Sequence, residues 1–148
     1  MAKSPDLAAL PADASTRVLL SAAEINRLTG VIIECSIKVH RRLGPGLLEG
    51  VYHTCLVHEL RKSGLHVDEN VAVPVTYDEL TIDVGYRADL IVECEVIVEL
   101  KSVEHIHPIH QAQLLSYMKL GGQRVGLLIN FNVPYLRDGI TRIVNGLK

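Results

Sequence analysis

Val96-Ile97-Val98-Glu99-Leu100-Lys101 reads as a buried strand interrupted by an acid and a base. Valine, isoleucine and leucine suit a pleated, covered surface. Alternation puts Val96, Val98 and Leu100 on one face and Ile97, Glu99 and Lys101 on the other. The preceding stretch, Gly85 to Glu93 (GYRADLIVE), has the same character. If the two form a hairpin turning around Cys94, Asp89 and Glu99 lie five residues to either side and face each other. Directly opposed side chains have Cβ atoms about 4.5–5.5 Å apart. One face then carries Asp89, Ile91, Ile97, Glu99 and Lys101. The other carries Leu90, Val92, Val96, Val98 and Leu100 and is wholly apolar. Carboxylates this close repel, and burial raises the pKa of at least one unless a cation intervenes. That cation is Lys101, a metal ion or both. The competing reading is a charge cluster on the solvent face of an antiparallel sheet. The apolar content of the strand, and the helical pattern after it, favour a covered face. Two hard carboxylates suit Mg²⁺ or Mn²⁺. A lysine two residues on can hold a water or steady a phosphate, the makings of metal-assisted phosphodiester hydrolysis.

The flanking sequence supplies helices and more strands. Ser21 with Glu24 is a capping-box pattern. Ile25, Leu28, Ile32, Cys35 and Val39 then recur at helical spacing, and Gly44-Pro45 stops the run. A second helix is expected from about Leu47 to Ser63, with Leu48, Val51, Tyr52, Cys55, Leu56 and Leu60 inward and Gly64 closing it. Glu49 falls in its first turn, where an acid favours the helix dipole. Val71-Val73-Val75 and Leu80-Ile82-Val84 alternate as strands, and Tyr86 to Val92 follows as another. A helix is expected from Pro108 to Leu120, with proline in its first turn. Arg124 to Asn130 is almost continuously apolar, as in a strand covered on both faces. Asp138 to Leu147 is a short final element. The order predicts an α/β protein with a mixed central sheet flanked by helices, not a regular βαβ repeat.

The 148 residues suit one domain, expected over 21–148, behind a flexible leader over 1–20. A chain of this length buries roughly 70% of its unfolded surface. With five Tyr, one Phe and no Trp, its core is aliphatic. A net charge of −2 gives no global basic footprint for nucleic acid, so such binding needs local charge or metal. Three cysteines, widely spaced and without a CxxC, fit a reduced, cytoplasmic compartment. No stretch approaches the length of a membrane span.

Asp89 followed by Glu99-Leu100-Lys101 resembles the D…ExK core of the PD-(D/E)XK nuclease superfamily. Gln113-Leu114-Leu115-Ser116-Tyr117 resembles the QxxxY motif of its recombination-related and exonuclease members. Upstream, Gly46-Leu47-Leu48-Glu49-Gly50-Val51-Tyr52 is similar to the heptad that names the bacterial GxxExxY family of that superfamily. GYRADL, VELK and GLLINF look like that family too, and the likeness runs from about Leu28 to Val144. The resemblance implies a restriction-endonuclease-like core and a Mg²⁺- or Mn²⁺-dependent deoxyribonuclease. It implies that Asp89 and Glu99 ligate the metal with the Leu100 carbonyl, and that Lys101 orients or helps deprotonate the attacking water. Glu49 becomes an outer acid, and Gln113 and Tyr117, one helical turn apart, support Lys101 or the scissile phosphate. The superfamily's proline is replaced by Ala88. Tyr52 reads as packing beside the site.

Arg87 shares the Asp89 face, and its planar fork suits phosphate; an ion pair with Asp89 or Glu99 is the alternative. Tyr86 reads as core. His105, His107 and His110 form an HxHxxH cluster, but two of them precede the helix and no fourth zinc ligand is near, so they read better as a border of the site. Lys38, Arg41, Arg42, Arg61 and Lys62 read as solvated helix faces. The expected substrate is nucleic acid, DNA by resemblance, with no membrane partner; a homodimer or larger complex suits so small a chain. The alternative function is a catalytically silent nuclease-fold module, serving as a subunit or nucleic-acid scaffold, with a sizeable apolar surface for association.

Overall fold

The computed structural model describes residues 18–147. The leader expected over 1–20 lies, up to residue 17, outside the described residues. Helices α1 (Ala22–Leu43) and α2 (Glu49–Lys62) come first, then strands β1 (Val67–Tyr77), β2 (Leu80–Val92) and β3 (Val96–Lys101). Helix α3 (Pro108–Gly121), β4 (Val125–Asn130), a 3-10 turn at Leu136–Gly139 and β5 (Ile140–Val144) complete the chain. The five strands form one sheet in chain order. Every pairing is antiparallel except β3 with β4, which α3 connects. The result is the mixed, helix-flanked α/β sheet the sequence implies.

Helix α1 starts with both halves of the capping box, Glu24 N–H on Ser21 Oγ (3.1 Å) and Ser21 N–H on Glu24 Oε2 (2.7 Å). Its whole expected stripe is buried. With α2 it covers one face of the sheet, packing on Leu90, Val92, Val96, Val98, Leu100, Leu127 and Ile129. Helix α3 covers the other face through Leu114 and Met118, against Val73, Ile91, Ile97 and Leu128. Strand β4 is buried along its whole length, as a strand enclosed on both faces should be. The inner face of α2 differs from expectation at its start. Leu48 is 81% exposed and Val51 40%, while Tyr52, Leu56, Val57 and Leu60 are buried. Leu48 is the N-cap residue, with extended backbone, so the helix proper begins at Glu49.

The β2–β3 hairpin pairs Leu90 with Val98, Ile91 with Ile97 and Val92 with Val96, which is symmetry about residue 94 as expected. Glu93 and Cys94 make the turn with φ of 51° and 57°. Two central residues at positive φ match the right-handed twist of the strands they join.

The split expected between Leu80–Val84 and Tyr86–Val92 is absent, because β2 runs through Gly85. Gly85 sits opposite a register shift between Val73 and Val75, and a Cβ there would overlap Val75 Cγ2. The glycine marks a close approach inside a hairpin, not a strand end. Strands β1 and β2 stay paired out to Tyr77 and Leu80, well past the last β2–β3 pair, so their outer halves form an arm beyond the sheet.

Candidate active site

Beyond Leu90 and Val98 the β2–β3 backbone ladder gives way to side chains. Asp89 N–H donates to Glu99 Oε1 (3.2 Å), and Leu100 N–H donates to Asp89 Oδ2 (2.9 Å). Each carboxylate thus caps backbone released by the parting strands. The next step of the register, Asp89 opposite Glu99, is realised by these bonds. The acids line a pocket of about 250 Å³ together with Glu49, Tyr86, Arg87, Lys101, His110, Gln113, Leu114, Tyr117 and Leu128. Five elements contribute: α2 gives Glu49, β2 gives Asp89, β3 gives Glu99 and Lys101, α3 gives Gln113 and Tyr117, and β4 gives Leu128.

Glu99 is only 9% exposed, so the acids are not a solvent-face charge cluster. Burial, and then the charge of Asp89, push the Glu99 carboxyl up to about 8. Lys101 opposes that shift without cancelling it. Glu49, at the exposed rim, is also raised, by partial burial and then by Asp89. Burial followed by the Glu99 charge holds the Tyr86 and Tyr117 hydroxyls above the ordinary tyrosine range. Fully ionised, the three acids of the pocket would outnumber its two cations, Lys101 and Arg87.

Tyr52 is fully buried, stacked on Phe131 at 4.6 Å between centroids. Its hydroxyl donates to the Gly44 carbonyl (2.5 Å) and accepts from Leu47 N–H (3.1 Å). Ser102, next to Lys101, donates to the Leu47 carbonyl (2.6 Å). The tyrosine of the G-x-x-E-x-x-Y stretch therefore pins the loop that delivers Glu49. It is packing beside the site, as expected.

Other expectations are refined. Tyr86 is buried, but it is more than core: it stacks on Tyr117 at 3.4 Å and forms a wall of the pocket. Arg87 is exposed on the rim and reaches the Asn70 carbonyl at 3.4 Å. Of the three histidines only His110 lines the pocket. His107 is the N-cap residue of α3, and its N–H donates to His110 Nδ1 (3.1 Å). Burial, then Lys101, lowers the His110 pKa. Leu100 turns its side chain into the α1/α2 core, so only its backbone lies near the acids.

One positioning residue escaped the sequence reading. Asn130, paired with Lys101 across β3–β4, is buried; its Nδ2 donates to the Val103 carbonyl (2.9 Å) and its Oδ1 accepts from Val103 N–H (3.1 Å). It ties down the chain just past Lys101. A polar residue closing an apolar strand was the available signal.

The donor set fits a hard divalent cation. Among the described residues no three acid, histidine or cysteine side chains gather tightly enough to cage an ion alone. Two carboxylates with backbone oxygen and water are the pattern Mg²⁺ accepts, since it retains several waters. The burial and repulsion that disfavour the Glu99 carboxylate are what such an ion would offset. Larger grooves of about 630 and 660 Å³ flank α1, lined by Lys38, Arg42 and Lys62 and by Arg41 and Arg137, but neither holds an acid pair.

A family model described as the PD-(D/E)XK nuclease superfamily matches residues 26–143. No curated protein and no solved structure matches the chain.

Proposed function

We propose that this chain, which belongs to the PD-(D/E)XK nuclease superfamily, is a Mg²⁺- or Mn²⁺-dependent nuclease that hydrolyses phosphodiester bonds in DNA. One observation carries the reading: Glu49, Asp89, Glu99, Lys101, Gln113 and Tyr117, drawn from four elements, line one small pocket.

In this reading Asp89 and Glu99, with the Leu100 carbonyl and Glu49 outside them, hold the cation. When bound, the ion supplies charge for the scissile phosphate and acidifies a water. Lys101 holds that water in line and steadies the phosphate oxygens. Arg87 and Gln113 position the phosphate from the rim, Arg87 through its two-pronged donor geometry. The Tyr86–Tyr117 stack walls the pocket, and Leu114 and Leu128 make an apolar floor that strengthens every charge interaction above it. His110, its pKa lowered, is neutral at physiological pH and can donate or accept a hydrogen bond. No described helix is long and apolar enough to cross a membrane, and no disulfide joins described residues.

The test is a panel of single-stranded, duplex and flapped DNA and RNA, incubated with Mn²⁺ and with Mg²⁺, beside Lys101→Ala. Metal-dependent cleavage lost in the variant is the expected result. No cleavage by the wild type, together with no Mn²⁺ binding sensitive to Asp89→Ala, would replace it with the catalytically silent reading.

A further inference from the structure

The groove of about 660 Å³ beside α1 lies at the same end of the sheet as the active pocket. Strands β3 and β4 run parallel, and Lys101 pairs with Asn130 at their C-terminal ends. The chain leaves β4 there and forms one wall of the groove with residues 134–137. The end of α1 and the loop after it form the other wall. That loop runs straight on to Glu49. Gly44 and Pro45 line the groove and Glu49 lines the pocket. Four peptide steps from Pro45 to Glu49 span no more than ~14 Å.

A buried aromatic row fixes both walls. Tyr52 stacks on Phe131, and Phe131 lies beside His40 with ring centroids 6.5 Å apart. His40 Nε2 donates to the Val133 carbonyl (2.7 Å), which fastens α1 to the segment after β4. The Tyr52 hydroxyl holds the Gly44 carbonyl. The residue that pins the Glu49 loop thus also sets the groove relative to the pocket.

The exposed lining is cationic and flat. Arg41, Arg137, Pro45 and Pro134 are exposed, and Tyr135 is 66% accessible. Arg137 lies over the Tyr135 ring, 5.9 Å from its centroid. No acidic side chain lines the groove. Neither arginine has an ion pair among the described residues, although Asp138 follows Arg137 in the chain. The other large groove differs, because its Lys38 is paired with its own Glu59 at 2.9 Å. In a chain of net charge −2, uncompensated local arginines are what a polyanion needs.

We propose that this groove binds single-stranded DNA leading away from the pocket, with Arg41 and Arg137 on backbone phosphates and an unpaired base stacked on Tyr135. The link to a scissile phosphate rests on the nuclease reading above. Arginines alone would serve a duplex equally well. An exposed ring serves only a base whose face is free, which a duplex withholds.

Fluorescence anisotropy of a labelled oligothymidine with the full chain in EDTA tests it, beside a matched duplex. The single strand should bind more tightly. Tyr135→Ala should weaken that binding about tenfold, the scale of one lost base–aromatic stack. Arg41→Ala and Arg137→Ala should each lower the slope of log affinity against log salt by about 0.7. An oligomer of the same backbone without bases should lose its sensitivity to Tyr135→Ala and keep its sensitivity to both arginines. Melting temperatures should not move, since all three side chains are exposed. Absent single-strand binding, a preference for the duplex, or binding that all three variants leave intact overturns the proposal. The nuclease reading fails separately: groove-dependent binding without cleavage in Mn²⁺ removes it and leaves the groove, whereas cleavage by a wild type whose groove variants bind normally removes the groove alone.

Discussion

On the α1/α2 side of β3, Val96, Val98 and Leu100 are completely enclosed by aliphatic neighbours. On the α3 side, one residue out of phase, the same strand presents Ile97, Glu99 and Lys101, and the last two line a polar pocket. The acids repel, and burial makes that repulsion costly. The apolar face holds the strand in place against it. A functional cluster can sit on a rigid element because the reverse side of that element is well packed.

Substitutions on the two faces should therefore fail in different ways. Lys101→Ala is expected to lower cleavage by about 10²–10⁴-fold, the range for losing a positioned proton-handling group, with the melting temperature nearly unchanged. Single-turnover rates beside a thermal melt would show it; a large drop in stability would mean that both faces are structural. Leu100→Ala should do the reverse, removing about 3 kcal/mol of stability by denaturant titration, because it opens a cavity at a fully buried site.

The third expectation concerns pH. The Glu99 carboxyl titrates near 8 in the folded chain and near 4.5 when unfolded. The folded state thus binds its proton more tightly. Stability is fully present below about 4.5 and falls as pH rises towards 8, in the absence of divalent ions. Melts in EDTA at pH 5 and pH 8.5 should show that fall. Glu99→Gln should flatten it, leaving the variant about 2 kcal/mol more stable than wild type at the higher pH. Added Mn²⁺ should recover stability in the wild type and not in the variant. Smallest is Tyr52→Phe, expected to cost about 1 kcal/mol through the lost hydroxyl bonds to the 44–47 loop. Cleavage should fall with it only if that loop positions Glu49.

The sequence made one part of this arrangement legible with simple arithmetic. Equal spacing of Asp89 and Glu99 from Cys94 fixed the facing pair, because a hairpin converts spacing directly into register. Gln113 and Tyr117 were readable as one helical face. What stayed hidden depends on contacts between elements. Tyr86 has a core-like neighbourhood in sequence, and only the packing of α3 makes it a pocket wall. Asn130 and His110 matter through the elements they meet across space. Gly85 looked like a break because a lone glycine in a strand pattern has that appearance; its reason is Val75 on the neighbouring strand. Leu48 and Val51 continue the apolar spacing of α2, yet Leu48 falls before the helix as its N-cap and both stay exposed.

The five strands lie in the sheet in the order in which the chain visits them. Three of the four pairings join neighbours across short connections, and only β3 to β4 needs a long crossover through α3. Loop closure is therefore cheap for most of the sheet, and folding should be fast for a strand-rich chain. The order of events matters for the acids. Asp89 and Glu99 belong to a local hairpin that can close early, while water still screens them, whereas α3 must dock later to seal them in. The slow step of assembly and the desolvation of the charges then become the same event.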